Sequence, residues 1–121
     1  MDIRIKSTDY TITAATEAYL AQRIATLTKL VRNEETARIE VELGRDAGRP
    51  RHGANIWFAE IQVLVPGQER IYARNNSESL NGAIDDVKEE VERQLRKRKH
   101  ANQSYLRKSG ALLKRMLRWG E

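Results

Sequence analysis

The basic residues of this chain are concentrated near its carboxyl end, where they could bind a polyanion. Residues 93–121 carry ten Lys or Arg and one acidic residue, a net charge of +9, whereas residues 1–92 carry twelve against sixteen, a net charge of −4. Within ERQLRKRKH, residues 92–100, five of the seven residues from Arg93 to Lys99 are cationic. Like charges this close repel one another unless an anion compensates them. The pattern favours a nucleic-acid partner, and a solvated helix end that complements the helix dipole is the alternative.

Residues that could support catalysis are not arranged for it. The two histidines, His52 and His100, have no acidic residues around them in a ligand or triad pattern, and there is no cysteine. Several acidic residues precede the basic run. They are explained by the dipole of a helix and by ion pairs with the cations that follow. We therefore predict no enzyme activity, no metal or other cofactor and no small-molecule substrate. The acidic cluster comprises Asp85, Asp86, Glu89, Glu90 and Glu92.

Six elements are predicted to position these charges. Alternating Ile3 and Ile5 indicate a half-buried strand, and Thr13 can cap a helix over residues 14–32 with an apolar stripe. Two further strands are expected over residues 37–43 and 54–65, followed by a type II turn at residues 65–68 and a strand over residues 70–75. A last helix begins near Ser77 and runs at least to residue 99. The class is α+β, in the order β-α-β-β-β-α, with both helices on one face of a four-stranded sheet.

The loop over residues 44–53, GRDAGRPRHG, adds cations that could reach phosphates or serve only solubility. In the strand after it, Trp57 is expected in the core, while Phe58 lies on the other face, where core packing or a covered edge is favoured over stacking on a base.

Three segments, IKSTDYTITAATEAYLAQRIATLTKL, AEIQVLVPG and, most distinctively, AIDDVKEEVERQLRKRKH, occur in this order and at spacings typical of one protein family. Over residues 1 to about 100 the chain resembles that family, the ribosome hibernation-promoting factors, also called ribosome-associated inhibitors or ribosomal subunit interface proteins. The resemblance implies binding to rRNA in the decoding region of the small ribosomal subunit. There the protein would block mRNA and tRNA and inhibit translation under stress or in stationary phase.

The resemblance also implies which residues contact rRNA. The basic rows of the family correspond to residues of both helices here, and the loop and helix end supply secondary contacts. Thr26 stands where many members have a basic residue, and Ser79-Leu80-Asn81 where they have Asp-Met-Tyr. The primary set is Arg23, Lys29, Lys88, Arg93, Arg96, Lys97 and Lys99, and the secondary set is Arg45, Arg49, Arg51 and Arg98.

Residues 101–121 are expected to form a basic tail after a ribosome-binding domain at residues 1–100, which makes the chain similar to the short members of the family. The sequence after Gly110 has the pattern of a short amphipathic helix, which could bind rRNA, a protein groove or an anionic membrane surface, and a disordered tail is the alternative. We expect a cytoplasmic protein that is monomeric when free. No apolar run is long enough to span a membrane, and the short apolar face of the tail disfavours binding to a membrane surface.

Two other functions remain open at this level. A protein-interaction module that modulates transcription would use an apolar interface, so its binding would be insensitive to salt. A generic double-stranded-RNA-binding domain would bind a naked duplex as well as it binds ribosomes.

Overall fold

The computed structural model describes residues 1–31, 35–46 and 55–119, with side chains described as far as residue 101. The observed order confirms the predicted α+β arrangement of four strands and two helices. The elements are β1 (Asp2–Thr8), α1 (Ala14–Thr28), β2 (Arg38–Arg45), β3 (Trp57–Leu64), β4 (Ile71–Ser77) and α2 (Leu80–Trp119).

The four strands form one mixed sheet in the spatial order β1-β2-β3-β4. β1 runs parallel to β2, with Ile3 opposite Ile39, because α1 returns the chain to the same end of the sheet. β2, β3 and β4 pair antiparallel, with Val41 opposite Ile61 and Ile61 opposite Ala73. Partners in this register share a face, so the alternation of each strand directs its apolar residues to one side.

Both helices cover that apolar side. The stripe of α1, with Leu20, Ile24 and Leu27, joins the strand residues and the stripe of α2 in one buried cluster. The opposite face of the sheet is open and carries ion pairs such as Lys6 with Glu42. The α2 residues in the cluster are Leu80, Ala83, Ile84, Val87, Val91 and Leu95.

The prediction that β1 is half-buried is wrong. Every residue of β1 is exposed, and Ile3 and Ile5 retain 43% and 41% of their accessible surface. Their register with Ile39 and Val41 places both on the helix side of the sheet. However, β1 is an edge strand, and α2 packs against β3 and β4, so the apolar face of β1 is left uncovered.

The ends of the elements follow from local hydrogen bonds. Thr13 caps α1, because its Oγ1 accepts from the backbone N–H of Thr16 at 3.1 Å, as predicted. α2 begins later than expected: β4 extends through Ser77, and Ser79 is the cap, with its Oγ accepting from the N–H of Gly82 at 3.0 Å. The predicted turn is present, since Gly67 has φ of 80° and Gln68 N donates to the carbonyl of Val65 at 3.0 Å.

α2 is one continuous helix of 40 residues. Its backbone passes through Gly110 without interruption, so the residues after that glycine are the end of α2 and not a separate helix. Among the side chains that the structure describes, the buried stripe extends as far as Leu95. No helix in the described part of the chain is long and apolar enough to cross a membrane.

Candidate nucleic-acid interface

In the part of α2 with described side chains, basic residues lie on both flanks of its buried stripe. At about 100° per residue, Asp85, Lys88, Glu92, Arg96 and Lys99 follow one flank. This flank faces α1, because Asp85 bonds to two α1 side chains. The other flank faces the edge of the sheet, where Arg93 and Glu90 line an open cleft of about 460 Å³ with Arg74 and Asn75 of β4. The two flanks therefore present cations in different directions.

A three-residue cluster joins α1 to α2. Arg23 Nε donates to Asp85 Oδ1 at 2.9 Å, and Arg23 Nη2 donates to the Tyr19 hydroxyl at 2.9 Å. The Tyr19 hydroxyl in turn donates to Asp85 at 2.7 Å, and the guanidinium lies 4.7 Å from the centroid of the tyrosine ring. The hydrogen bond with Tyr19 raises the pKa of Arg23 above its usual value, and Asp85 adds to the effect. Arg23 is thus fixed between the helices.

A second cluster lies on the α1-facing flank of α2. Glu92 accepts from Lys88 Nζ at 2.6 Å and from Arg96 Nη2 at 2.7 Å, so one carboxylate holds the cations on both sides of it. The side chains of Lys88 and Glu92 are only 18% and 17% exposed. The hydrogen bonds from Lys88 and then from Arg96 lower the pKa of Glu92. The ionised form of the carboxylate is therefore favoured, and with Glu92 ionised the triad has a net charge of +1.

An ion pair between Arg93 and Glu90 lies on the flank of α2 that faces the edge of the sheet. Arg93 donates to both carboxylate oxygens of Glu90, from Nη2 at 2.7 Å and from Nε at 3.1 Å. Gln94 also donates to Glu90, and these bonds lower the pKa of the Glu90 carboxyl, Arg93 having the larger effect. Asp85, Glu90 and Glu92 of the acidic cluster are thus partners of basic residues, whereas Asp86 and Glu89 are exposed.

Three lysines of the primary set have a different environment. Lys29 at the end of α1 and Lys97 and Lys99 of α2 are exposed. No carboxylate among the described residues lies within ion-pair distance of them. Their charges are therefore the most accessible of the primary set to an external anion.

The secondary set is only partly described. Arg45 is exposed at the end of β2, with its guanidinium 5.3 Å from the centroid of the Trp57 ring. Arg98 donates to Gln68 Oε1 at 2.7 Å and to the carbonyl of Glu69, so it joins α2 to the β3–β4 turn. Arg49 and Arg51 lie outside the described residues.

The two aromatic residues of β3 lie on opposite faces, as their alternation predicts. Trp57 is half-buried and packs against the core, edge-on to Tyr10 with the ring centroids 5.3 Å apart. Phe58 is on the open face, yet it is only 2% exposed. The Arg74 guanidinium lies 4.1 Å from the centroid of its ring. Phe58 is therefore a covered side chain, and stacking on a base would require Arg74 to move.

Other chemistry has little support in the described residues. No group of three or more His, Cys, Asp or Glu side chains among them is close enough to hold a metal ion.

Sequence patterns did not predict the contacts between residues that are distant in the sequence. Arg23 and Asp85 are 62 residues apart, and Arg98 and Gln68 are 30 residues apart. No local periodicity signals contacts at such separations.

Comparison with known proteins supports a ribosomal association. A family model described as sigma 54 modulation protein / S30EA ribosomal protein matches residues 3–103. The crystal structure of the Protein Y N-terminal domain of Thermus thermophilus superposes with a TM-score of 0.63 at 26% identity, covering 80% of this chain and 98% of that chain. A ribosomal subunit interface protein from Coxiella burnetii has the same fold, with a TM-score of 0.64 at 18% identity, covering 83% and 99%. No curated protein sequence matches significantly.

Proposed function

Because the chain belongs to the sigma 54 modulation protein and S30EA ribosomal protein family, we propose that it is a ribosome hibernation factor that binds rRNA in the decoding region of the small subunit. In that position it blocks mRNA and tRNA and inhibits translation under stress or in stationary phase. It acts in the cytoplasm, and its effect is steric, without turnover of a substrate.

The observation that carries this proposal is the placement of cations on the two helices. Arg96, Lys97 and Lys99 are exposed on α2 just after the buried Leu95, and Lys29 is exposed at the end of α1. Neutralising RNA phosphates with such residues releases counterions and drives binding without reading base sequence. The packed sheet beneath keeps the helices in a fixed relative position, so they can fill an RNA-walled cleft.

A protein-interaction module is less well supported. Among the residues with described side chains, the large apolar groups that are exposed are Ile3, Ile5 and Tyr72. All three lie on strands, Ile3 and Ile5 on β1 and Tyr72 on β4, which are the two edges of the sheet. Three side chains divided between opposite edges give little area for an apolar docking interface in this part of the chain.

The test is cosedimentation with purified small ribosomal subunits. Replacing Arg93, Arg96, Lys97 and Lys99 with Gln should weaken binding by roughly two to three powers of ten at about 0.1 M salt, because several phosphate contacts are lost. Folding should be nearly intact, since these residues are off the buried stripe. The matched control removes the same charge from the open face of the sheet by changing Arg4, Lys6, Arg38 and Arg70 to Gln. It should bind subunits almost normally.

Three results would contradict the proposal. A folded quadruple variant that cosediments like the native protein would refute the proposal that the basic residues of α2 bind rRNA. Equal losses in the two quadruple variants would mean that only net charge matters. Equally tight binding of a naked RNA duplex and of subunits would identify a generic double-stranded-RNA-binding domain.

A further inference from the structure

Four cations of the proposed RNA-binding surface already hold carboxylates of this chain: Arg23, Lys88, Arg93 and Arg96. Building on the proposed function, we infer that Glu92 is a specificity-determining residue, an internal counterion that suppresses binding to RNA without the correct phosphate geometry. It acts on Lys88 and Arg96 together.

The position of Glu92 makes it the strongest of the internal counterions. It contacts two cations, at 2.6 and 2.7 Å, whereas Glu90 has one cationic partner, Arg93, among the described residues. The Glu92 side chain is 17% exposed, against 41% for Glu90, so solvent screens its charge less. Asp85 also binds Tyr19 and joins the two helices, which gives it a structural role as well.

The effect on binding follows from the charge of the triad. With Glu92 ionised, Lys88 and Arg96 together present a net +1, and a phosphate that approaches either cation is repelled by the carboxylate between them. An RNA chain with mobile phosphates makes one contact at a time, and a single contact does not offset the repulsion from Glu92. A folded RNA that presents phosphates to both cations at once exchanges two carboxylate hydrogen bonds for two phosphate hydrogen bonds of similar strength.

Glu92 also orients its partners. The i,i+4 spacing on each side keeps Lys88 and Arg96 extended along the same flank of α2, so less side-chain entropy is lost when they bind. Glu92 therefore lowers affinity for RNA in general more than it lowers affinity for a matching surface. The protein therefore discriminates more strongly between a matching folded RNA and other RNA.

The experiment compares Glu92→Gln with Glu89→Gln. Both remove one negative charge from the same helix, but Glu89 is exposed and has no cationic partner among the described residues. The probe is poly(U), a single-stranded RNA without fixed phosphate geometry, titrated by fluorescence anisotropy at several KCl concentrations. Binding to small ribosomal subunits is measured in parallel, and circular dichroism confirms that each variant is folded.

For Glu92→Gln we expect poly(U) binding to tighten roughly tenfold at about 0.1 M KCl, from removal of a repulsive charge close to the phosphate. The slope of log K against log [KCl] should steepen by about 0.7, the value for one more phosphate neutralised on a single strand. Subunit binding should tighten less, so that the ratio of the two affinities falls. Glu89→Gln should remain within about twofold of the native protein, because its charge is screened by solvent.

Equal tightening by the two variants would overturn the inference, since net charge alone would then explain it. Unchanged or weaker poly(U) binding by Glu92→Gln would also overturn it, as would a subunit affinity that rises as much as the poly(U) affinity. If Glu92→Gln is unfolded, Glu90→Gln replaces it and should show a smaller change in the same direction. A native protein that does not bind subunits, while Glu92→Gln still binds poly(U) more tightly than Glu89→Gln, would refute the proposed function but support the counterion role.

Discussion

Gly44 shows how a single residue limits the packing of the open face of the sheet. It lies in β2 opposite Thr8 of β1 and Phe58 of β3. A Cβ added there would collide with the carbonyl oxygen of Thr8 and would lie 2.8 Å from Cε1 of Phe58. The Phe58 ring is confined from another direction by Arg74, at 4.1 Å. The glycine is needed for space, because its backbone is not in the left-handed region.

We therefore predict that Gly44→Ala lowers the free energy of unfolding by about 3 kcal/mol, the upper end of what overpacking usually costs. Urea denaturation followed by circular dichroism measures the change. Gly67→Ala is the control, since nothing lies near its added Cβ and only the cost of φ at +80°, about 1 kcal/mol, should appear. If Gly44→Ala proves no more costly than the control, the packing described around Phe58 is not rigid.

At the scale of the element, α2 combines two roles along its length. In the part of α2 with described side chains, the buried stripe runs from Leu80 to Leu95, and Arg98 joins the helix to the β3–β4 turn. The exposed lysines Lys97 and Lys99 lie at and beyond this point. The proposed boundary between a domain over residues 1–100 and a basic tail therefore falls within a continuous helix.

A chain that ends at Asn102 should accordingly keep its cooperative thermal transition, with a midpoint close to that of the full chain. The core stripe and the Arg98 contact both precede the cut. A chain that ends at Gln94 is the comparison, and the loss of Leu95 alone should cost about 2–5 kcal/mol. Thermal melts of both truncated chains, followed by circular dichroism, measure this difference in stability. Loss of the transition in the longer truncation would mean that residues after 102 pack onto the domain.

At the scale of the whole molecule, the proposed mechanism is occupancy of the ribosome by a protein whose cations are concentrated near its carboxyl end. A blocker of this kind should inhibit cell-free translation stoichiometrically, with an endpoint that follows the number of ribosomes across several ribosome concentrations. Excess mRNA and initiator tRNA supplied together should relieve the inhibition, because competing ligands of one site exclude each other by mass action. The quadruple variant with Gln at residues 93, 96, 97 and 99 is the control and should inhibit poorly.

Three results would contradict this mechanism. Complete inhibition at a small fraction of the ribosome number, or cleaved rRNA, would indicate an enzyme. Ribosomes fully occupied by the protein but still carrying tRNA at both decoding sites would exclude steric blocking.

Local patterns in the sequence were sufficient for the order of the elements. The stripes of α1 and α2, the Thr13 cap and the turn with Gly67 depend on residues within a few positions of one another, and all are present. The concentration of cations from residue 93 onward is likewise a property of the sequence alone. Side-chain period and backbone preference act over short distances, so they can be read without tertiary contacts.

Only the tertiary structure decided how far each residue is covered and which charges are compensated. The alternation in β1 is the same as that in β2, yet Ile3 is exposed and Ile39 is buried, because the position of a strand in the sheet depends on contacts distant in sequence. Likewise, the α2 spacing predicted that the acidic cluster would pair with cations, but the contact of Asp85 with Arg23 required the helices to be packed together. Burial and long-range ion pairs depend on distances between elements, which local sequence patterns do not specify.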